Sequence, residues 1–118
     1  MTLYDLKNKI GKFGCLHYIY FPDEGHLVWR YEIGNNVEIV DMEAYKKRQG
    51  IGKKLIRRLV DDLDKDPPYC IFGFTREINE DAQAFYKAMG FELSPVIKDF
   101  YRFGGVLFTV LYKKIRDI

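Results

Sequence analysis

Seven cationic side chains, two glycines and no acid occur in the segment KKRQGIGKKLIRR, residues 46–58. Gly50 and Gly52 have no side chains, so the backbone there can approach a bound group closely. If a helix begins at these glycines, its first N–H groups are unpaired and the positive end of its dipole favours an anion. The residue types therefore predict an anion-binding site, with a solvated helix surface as the plainer alternative.

The order of charges after Gly52 is a second indication of an anion. Cations fill the first half of the predicted helix and acids the second, which opposes the helix dipole and costs about 0.3–1 kcal/mol per charge at low salt. A polyanion bound at the helix start would offset this order. Nucleic acid ranks low, because the cations are confined to one loop and helix start and no recognised nucleic-acid-binding motif accompanies them. The cations are Lys53, Lys54, Arg57 and Arg58, and the acids are Asp61, Asp62 and Asp64.

The pattern of apolar residues predicts a helix directly after this loop. Apolar side chains recur at helical spacing from Ile51 to Leu63 and prolines follow at 67 and 68, so we expect a helix over residues 50–64. A strand over residues 37–42 precedes the loop, and a continuously apolar, buried strand over residues 69–74 follows the helix. Two strands joined through a helix indicate a parallel crossover.

The remaining elements are predicted to be mostly antiparallel strands. Aromatic and β-branched residues predict strands over residues 13–21 and 26–33 with a turn at 22–25, and a short helix is expected over residues 3–10. A second helix over residues 79–89, capped by Asn79 and stopped by Gly90, is followed by strands over residues 91–98 and 106–113. The predicted order is α, β, β, β, α, β, α, β, β.

Composition indicates one soluble domain. The 118 residues are 47% hydrophobic, so a single domain spanning residues 1–118 can bury a substantial core, and the net charge of +2 makes any basic function local. Cys15 and Cys70 match no metal-ligand spacing, so we expect free thiols and no metal. There is no signal-peptide pattern, and the longest apolar stretch, residues 105–112, is too short to span a bilayer. We therefore expect a cytoplasmic protein without membrane binding.

The segment K-K-R-Q-G-I-G resembles the acyl-CoA-binding motif Q/R-x-x-G-x-G/A of the GNAT superfamily of N-acetyltransferases. Lys47 occupies the Gln/Arg position, where it cannot supply the planar fork of arginine. The resemblance implies that main-chain amides of this loop hold the pyrophosphate of acetyl-CoA, the acyl-donor substrate. The implied binding positions are Lys47, Arg48, Gln49, Gly50, Ile51, Gly52 and Lys53.

The downstream segment NEDAQAFYKAMGF, residues 79–91, resembles the second signature of the same family, N-x-x-A-x-x-F-Y-x-x-x-G-F. The two motifs stand in the expected order. The resemblance implies an α/β (α+β) fold of the GNAT type. Such a fold has a mixed, mostly antiparallel sheet with a central parallel strand pair splayed around the acyl-CoA cleft, helices on both faces, and here a shortened N-terminal region. The matching positions are Asn79, Ala82, Phe85, Tyr86, Gly90 and Phe91.

The resemblance also implies catalytic roles. Tyr86 is the expected general acid, because a phenol with an ordinary pKa near 10 keeps its proton at neutral pH and can donate it to the departing thiolate. Packing of Tyr86 onto the sheet is the structural alternative. Glu38, on the strand before the loop, is the first candidate for the general base. The other candidates are Asp41, Glu43, His17 and His26, and a β-bulge would change which acid faces the cleft.

The coenzyme arm is expected to lie between the parallel strands. In the family, the backbone at Val40, Asp41 and Met42 pairs with the pantetheine arm and polarises the thioester carbonyl. Asn79 and Phe85 complete the predicted contacts, although Asn79 also suits a helix cap and Phe85 the core.

The predicted function is N-acetyl transfer from acetyl-CoA to a primary amine of a small molecule, protein or peptide, by direct attack in a ternary complex. A CoA-binding module without turnover is the alternative. The acceptor is unassigned, and both a monomer and a homodimer are compatible with the sequence. Aromatic side chains can line an acceptor pocket or simply cover the sheet, and the candidates, with one arginine, are Tyr18, Tyr20, Trp29, Tyr31, Tyr101, Arg102 and Phe103.

Overall fold

The computed structural model describes residues 16–47, 49–98 and 104–118. Within these ranges the chain forms six strands and three helices. They are β1 (His17–Phe21), β2 (Gly25–Glu32), β3 (Asn36–Ala44), α1 (Ile51–Leu63), β4 (Cys70–Arg76), α2 (Glu80–Ala88), β5 (Glu92–Leu93), β6 (Gly105–Leu111) and α3 (Tyr112–Ile115). The predicted N-terminal helix and Cys15 lie outside the described residues.

All six strands belong to one sheet, in the order β1-β2-β3-β4-β6-β5. The pair β3–β4 is parallel, and the other neighbouring strands are antiparallel. The helix α1 connects the two parallel strands, as a crossover requires. The prediction of a mostly antiparallel sheet with a central parallel pair is confirmed.

The parallel strands separate at their carboxyl ends. Their register ends with Ile39 opposite Gly73, whereas β3 continues to Ala44 and β4 to Arg76. At the last paired position, a Cβ on Gly73 would collide with the Phe108 ring and the Ile39 carbonyl oxygen. Beyond that point the two strand ends form the walls of a cleft.

A β-bulge at Val40 reverses the side-chain alternation of β3. In the ladder with β2, Asp41 lies opposite Val28 and Ile39 lies opposite Trp29. Val40 therefore has no partner on β2 and is the extra residue. Without it, Asp41 would share the face of Ile39, which lies in the apolar core. With it, Asp41 shares the face of Val28, and Met42 packs against the core instead.

The apolar stripe of α1 packs onto the sheet. Leu55, Ile56, Leu59 and Leu63 are completely buried, which is the pattern of an amphipathic helix on a core. Tyr86 of α2 belongs to the same cluster of buried residues, so both long helices lie on one face of the sheet. Neither long helix covers the opposite face, and the predicted N-terminal helix lies outside the described residues.

The last predicted strand is shorter than expected. It ends at Leu111, and Tyr112–Ile115 form α3 where the sequence predicted strand to residue 113. The buried Tyr112 hydroxyl lies 3.2 Å from the Val60 carbonyl oxygen and 3.1 Å from Asp64 Oδ1. These contacts with α1 and its C-cap turn the chain away from the sheet.

The strand predicted over residues 91–98 is reduced to β5, Glu92–Leu93. The Ser94 N–H still donates to the Leu107 carbonyl at 2.8 Å, but the Leu107 N–H donates to Ser94 Oγ at 3.0 Å, and the next residue, Pro95, has no N–H to donate. Beyond it, only an isolated bridge pairs Ile97 with Gly105 among the described residues. No helix among the described residues is long and apolar enough to span a membrane.

Candidate active site

A cavity of about 250 Å³ lies between the separated ends of β3 and β4. The cavity brings together five predicted site residues from two distant segments of the sequence. Its lining residues are Ile39, Val40, Asp41 and Met42 on β3, Phe74, Thr75 and Arg76 on β4, Asn79, Ala82 and Tyr86 at and on α2, and Phe108 on β6. The cleft predicted for the acyl end of the coenzyme therefore contains the motif tyrosine.

Tyr86 is packed in the core and also lines the cavity. Its side chain is 5% exposed, and its ring stacks on Phe108 with the centroids 3.6 Å apart and an interplanar angle of 9°. Burial, and secondly the charge of Asp41, raise the pKa of Tyr86 above its usual value of 10.0. The phenol therefore stays protonated at neutral pH and can donate a hydrogen bond or a proton into the cavity.

Asn79 is the N-cap of α2. Its Oδ1 accepts the Ala82 N–H at 3.1 Å, which satisfies one of the unpaired donors of the first turn. Because Asn79 also lines the cavity, the capping role and the predicted contact with the coenzyme are compatible.

Gly50 and Gly52 shape the start of α1 in different ways. Gly50 is the N-cap, with φ of 70°, and apart from its chain neighbours no atom of the described residues lies within 4 Å of where its Cβ would stand. A Cβ on Gly52 would instead lie 2.7 Å from Phe85 Cε1. Gly52 therefore allows α1 to pack against α2. Gly50 begins a helix whose first N–H groups have no partner within the helix, and such a helix start favours an anion.

The other predicted loop residues differ in exposure. Ile51 is buried in the core, Gln49 and Lys53 are exposed, and Arg48 lies outside the described residues. The Lys47 Nζ is 3.5 Å from Asp81 Oδ2, and both side chains are more than 85% exposed. Such an exposed pair contributes little to stability, so it leaves the Lys47 ammonium available to a ligand.

Two of the cations on α1 are paired with acids. Lys54 Nζ lies 2.9 Å from Glu24 Oε2 and 4.6 Å from the centre of the Phe21 ring, and Arg58 Nε donates to Asp62 Oδ1 at 3.0 Å. These two cations of the basic segment therefore form ion pairs within the protein. The predicted anion site involves fewer cations than the basic segment contains.

Asp41 is held at the cavity by a buried histidine. Its Oδ2 lies 2.7 Å from His26 Nε2, and the opposite ring nitrogen, Nδ1, lies 2.7 Å from the Tyr45 hydroxyl. The His26 side chain is 0% exposed and that of Asp41 is 43% exposed. The carboxylate, and not the imidazole, is therefore the group of this pair that can meet a ligand.

Glu38, the first sequence candidate for the base, has a different environment. Its Oε1 accepts hydrogen bonds from Arg30 Nε at 3.1 Å and from a second guanidinium nitrogen at 2.9 Å. Glu38 is not among the residues that line the cavity. Of the alternatives, Glu43 is exposed near the end of β3. His17, on the edge strand β1, stacks on Trp29 of β2 with ring centroids 4.1 Å apart.

Sequence reasoning did not single out Phe74, Thr75, Arg76 or Phe108 as site residues. The first three follow directly after the paired part of β4, and the carboxyl ends of parallel strands are where ligands bind in open α/β sheets. That rule, applied to the predicted crossover, would have found them. Phe108 has no such signal, because it reaches the site from β6 by stacking on Tyr86.

The aromatic acceptor candidates do not gather at this cavity. Trp29 is 6% exposed, belongs to the apolar core and packs against His17 and Tyr31. Tyr18, Tyr20 and Tyr31 are not among the cavity residues, and residues 101–103 lie outside the described part of the chain. No group of three or more described His, Cys, Asp or Glu residues is arranged to hold a metal ion.

By sequence, residues 13–91 match the Acetyltransferase (GNAT) family. The comparison with curated protein sequences finds no significant match.

Three solved structures illustrate the shared fold. A Bacillus subtilis acetyltransferase in complex with CoA has 17% identity and a TM-score of 0.72, with 92% of this chain and 84% of that chain covered. The ribosomal-protein-S18-alanine N-acetyltransferase of Escherichia coli has 16% identity and a TM-score of 0.70, with 86% and 72% covered. Arabidopsis thaliana Naa50, in complex with the bisubstrate analogue CoA-Ac-MVNAL, has 26% identity and a TM-score of 0.63, with 74% and 64% covered.

Proposed function

Because the chain belongs to the GNAT family of acetyltransferases, we propose that it transfers an acetyl group from acetyl-CoA to a primary amine of a small molecule, protein or peptide. The amine attacks the thioester directly in a ternary complex. One observation carries the proposal: the cleft between the parallel strands contains a protonated phenol, Tyr86, and a carboxylate, Asp41. The helix start at Gly50 follows β3, the strand that carries Asp41.

The coenzyme is proposed to bind along the loop that leads from β3 into α1. Backbone N–H groups of the first turn of α1, at Ile51, Gly52 and Lys53, face no partner inside the helix and suit the pyrophosphate. Lys47, Arg48 and Gln49 precede them and add side-chain donors. The pantetheine arm then follows Val40, Asp41 and Met42, where β3 no longer pairs with β4. Asn79 lies across the cavity from them, and Phe85 lies beside Gly52 at the start of α1.

Two proton transfers accompany the proposed reaction. As the amine nitrogen forms its bond to the acetyl carbon, the Asp41 carboxylate takes a proton from the nitrogen. As the carbon–sulfur bond breaks, the Tyr86 hydroxyl donates its proton to the sulfur, and CoA leaves as the thiol. Solvent then returns the proton from Asp41 to the Tyr86 phenolate. The products are the acetylated amine and free CoA.

The geometry favours Asp41 over Glu38 as the base. Asp41 lines the cavity that also contains Tyr86, and its charge is felt by the Tyr86 phenol. Glu38 is the prediction from the sequence, but its carboxylate is held by Arg30 and its side chain is only 16% exposed. A comparison of the two neutral amide variants separates these assignments.

The decisive experiment is release of free thiol from acetyl-CoA across a panel of small amines and peptides. With the best acceptor, Asp41→Asn is expected to lower kcat by about 10²–10⁴-fold, the usual contribution of a general base. Glu38→Gln serves as the matched control and is expected to keep turnover within about threefold. The opposite ranking would assign the base to Glu38.

The same panel tests the alternative of a CoA-binding module. Thermal stabilisation by acetyl-CoA without thiol release for any amine would establish binding without turnover. No stabilisation by acetyl-CoA, at concentrations far above a typical dissociation constant, would contradict the proposed function altogether.

A further inference from the structure

We infer that His26 is a positioning residue for Asp41, fixing which carboxylate oxygen faces the cavity. The inference rests on the proposed role of Asp41 as the base. It is carried by a chain of two short hydrogen bonds, Tyr45–His26–Asp41, each 2.7 Å long, that runs from the end of β3 through a completely buried imidazole to the cavity.

The partners of the imidazole determine where its protons lie. An ionised Asp41 only accepts hydrogen bonds, so the contact at 2.7 Å requires a proton on His26 Nε2. The Tyr45 hydroxyl can then donate to Nδ1, and burial together with nearby charges raises the pKa of Tyr45 to about 12, so that it keeps this proton. The arrangement places a proton on His26 Nε2, with Tyr45 beside the opposite ring nitrogen.

The proton on Nε2 allows His26 to hold the carboxylate in place. Because Nε2 already carries a proton, it cannot accept another one from Asp41, so His26 is not the acceptor of the Asp41 proton. The bond to Oδ2 limits rotation of the carboxylate, and the other oxygen, Oδ1, is left for the cavity that Asp41 lines. The bulge at Val40 is also needed for this contact, because it turns the Asp41 side chain onto the same face of the sheet as His26.

Burial excludes a direct catalytic role for His26. The side chain is 0% exposed and is not among the cavity residues, so an acceptor amine meets Asp41 first. If His26 had only a structural role, activity would not depend on which group its N–H is directed at, as long as the replacing side chain filled the site and stayed polar. A positioning role makes the N–H directed at Asp41 essential.

Two amide variants separate these roles. Gln has its amide nitrogen close to the position of Nε2 and can still donate to Asp41, whereas Asn has its amide nitrogen close to that of Nδ1 and faces Tyr45 instead. We expect His26→Gln to keep kcat within about fivefold of wild type and His26→Asn to lose up to about 100-fold, because a misplaced catalytic group costs about that much. The affinity for acetyl-CoA, measured by calorimetry, is expected to be unchanged in both, which also shows that both variants fold.

The double variant tests the coupling to Asp41. If His26 acts through Asp41, His26→Asn added to Asp41→Asn lowers kcat no further. Equal kcat values for His26→Gln and His26→Asn, or additive losses in the double variant, would overturn the positioning role while leaving the proposed function intact. An unimpaired Asp41→Asn variant would instead overturn the assignment of the base, and the inference with it.

A spectroscopic measurement on the unaltered protein gives an independent answer. The ¹⁵N chemical shifts of the imidazole distinguish its tautomers, and we expect the Nε2–H form with a slowly exchanging proton, lost in Asp41→Asn. The neutral Nδ1–H form in the unaltered protein would overturn the inference without any variant having to fold.

Discussion

Replacing Tyr86 by Phe should separate chemistry from packing at this site. The substitution removes the hydroxyl but keeps the ring stacked on Phe108 at 3.6 Å and the edge-to-face contacts with Phe85 and Phe91. The substitution therefore removes one polar atom at the cavity that Tyr86 lines and leaves the aromatic packing in place. We expect the free energy of unfolding to change by less than about 1 kcal/mol.

The effect on catalysis should be much larger. A general acid contributes about 10²–10⁴-fold in rate, so kcat should fall at least 100-fold, equivalent to about 2.7 kcal/mol in the activation barrier. Because the pKa of Tyr86 is raised above 10.0, ionisation of this phenol should cause no loss of activity below about pH 10. Its proton is available over the whole neutral range.

Thiol release measured between pH 6 and 9.5, together with thermal unfolding, tests both expectations. Tyr86→Ala is the packing control: it should lose about 3–5 kcal/mol of stability, as aromatic-to-alanine changes in cores do, and its melting temperature should fall by more than about 10 °C. A Tyr86→Phe variant with unchanged kcat at every pH would refute the general-acid role. A large loss of stability in that variant would refute the packing argument.

Three further predictions concern the loop and the helices. Gly52→Ala places a Cβ 2.7 Å from Phe85 Cε1, so the Phe85 ring or the start of α1 must shift. Calorimetry should show acetyl-CoA binding weakened about tenfold or more. The better helix propensity of Ala offsets part of the roughly 1–3 kcal/mol cost of overpacking. Gly50→Ala meets no atom of the described residues outside its chain neighbours but must adopt φ of 70°, which should lower the free energy of unfolding in urea by about 1–2 kcal/mol. Gly50→Asn, which tolerates this conformation, should lose less. Tyr112→Phe removes the hydroxyl contacts with Val60 and Asp64 and should lower stability by about 1–2 kcal/mol without affecting kcat; an unchanged denaturation midpoint would show that these contacts do not hold α3 in place.

Much of the fold follows from patterns that are local in the sequence. Apolar spacing identified α1 and the parallel crossover, because a helix that packs on a sheet must bury one stripe. The strand after it, predicted to be buried throughout, instead alternates between buried and half-buried residues. The cap at Asn79 could also be predicted from a local pattern, because one side-chain oxygen and one N–H three residues later are enough to form it. Such features depend on neighbours within a few residues of each other.

The ends of the C-terminal elements depend on distant partners. β6 stops at Leu111 because Tyr112 reaches residues of α1 about fifty positions earlier in the chain. β5 stops because the hydroxyl of Ser94 bonds to Leu107 on β6. Neither contact leaves a periodic signal, so an apolar run alone predicts strands that are too long.

The candidate site shows the same division. The motif glycines and the tyrosine can be read from the sequence, because the phosphate cradle depends on a helix start and Tyr86 on its place in a helix. The choice between Glu38 and Asp41 could not be read in this way. One extra residue at Val40 inverts the side-chain alternation of β3, and only the folded sheet brings His26 and Arg30 from β2 beside these two carboxylates.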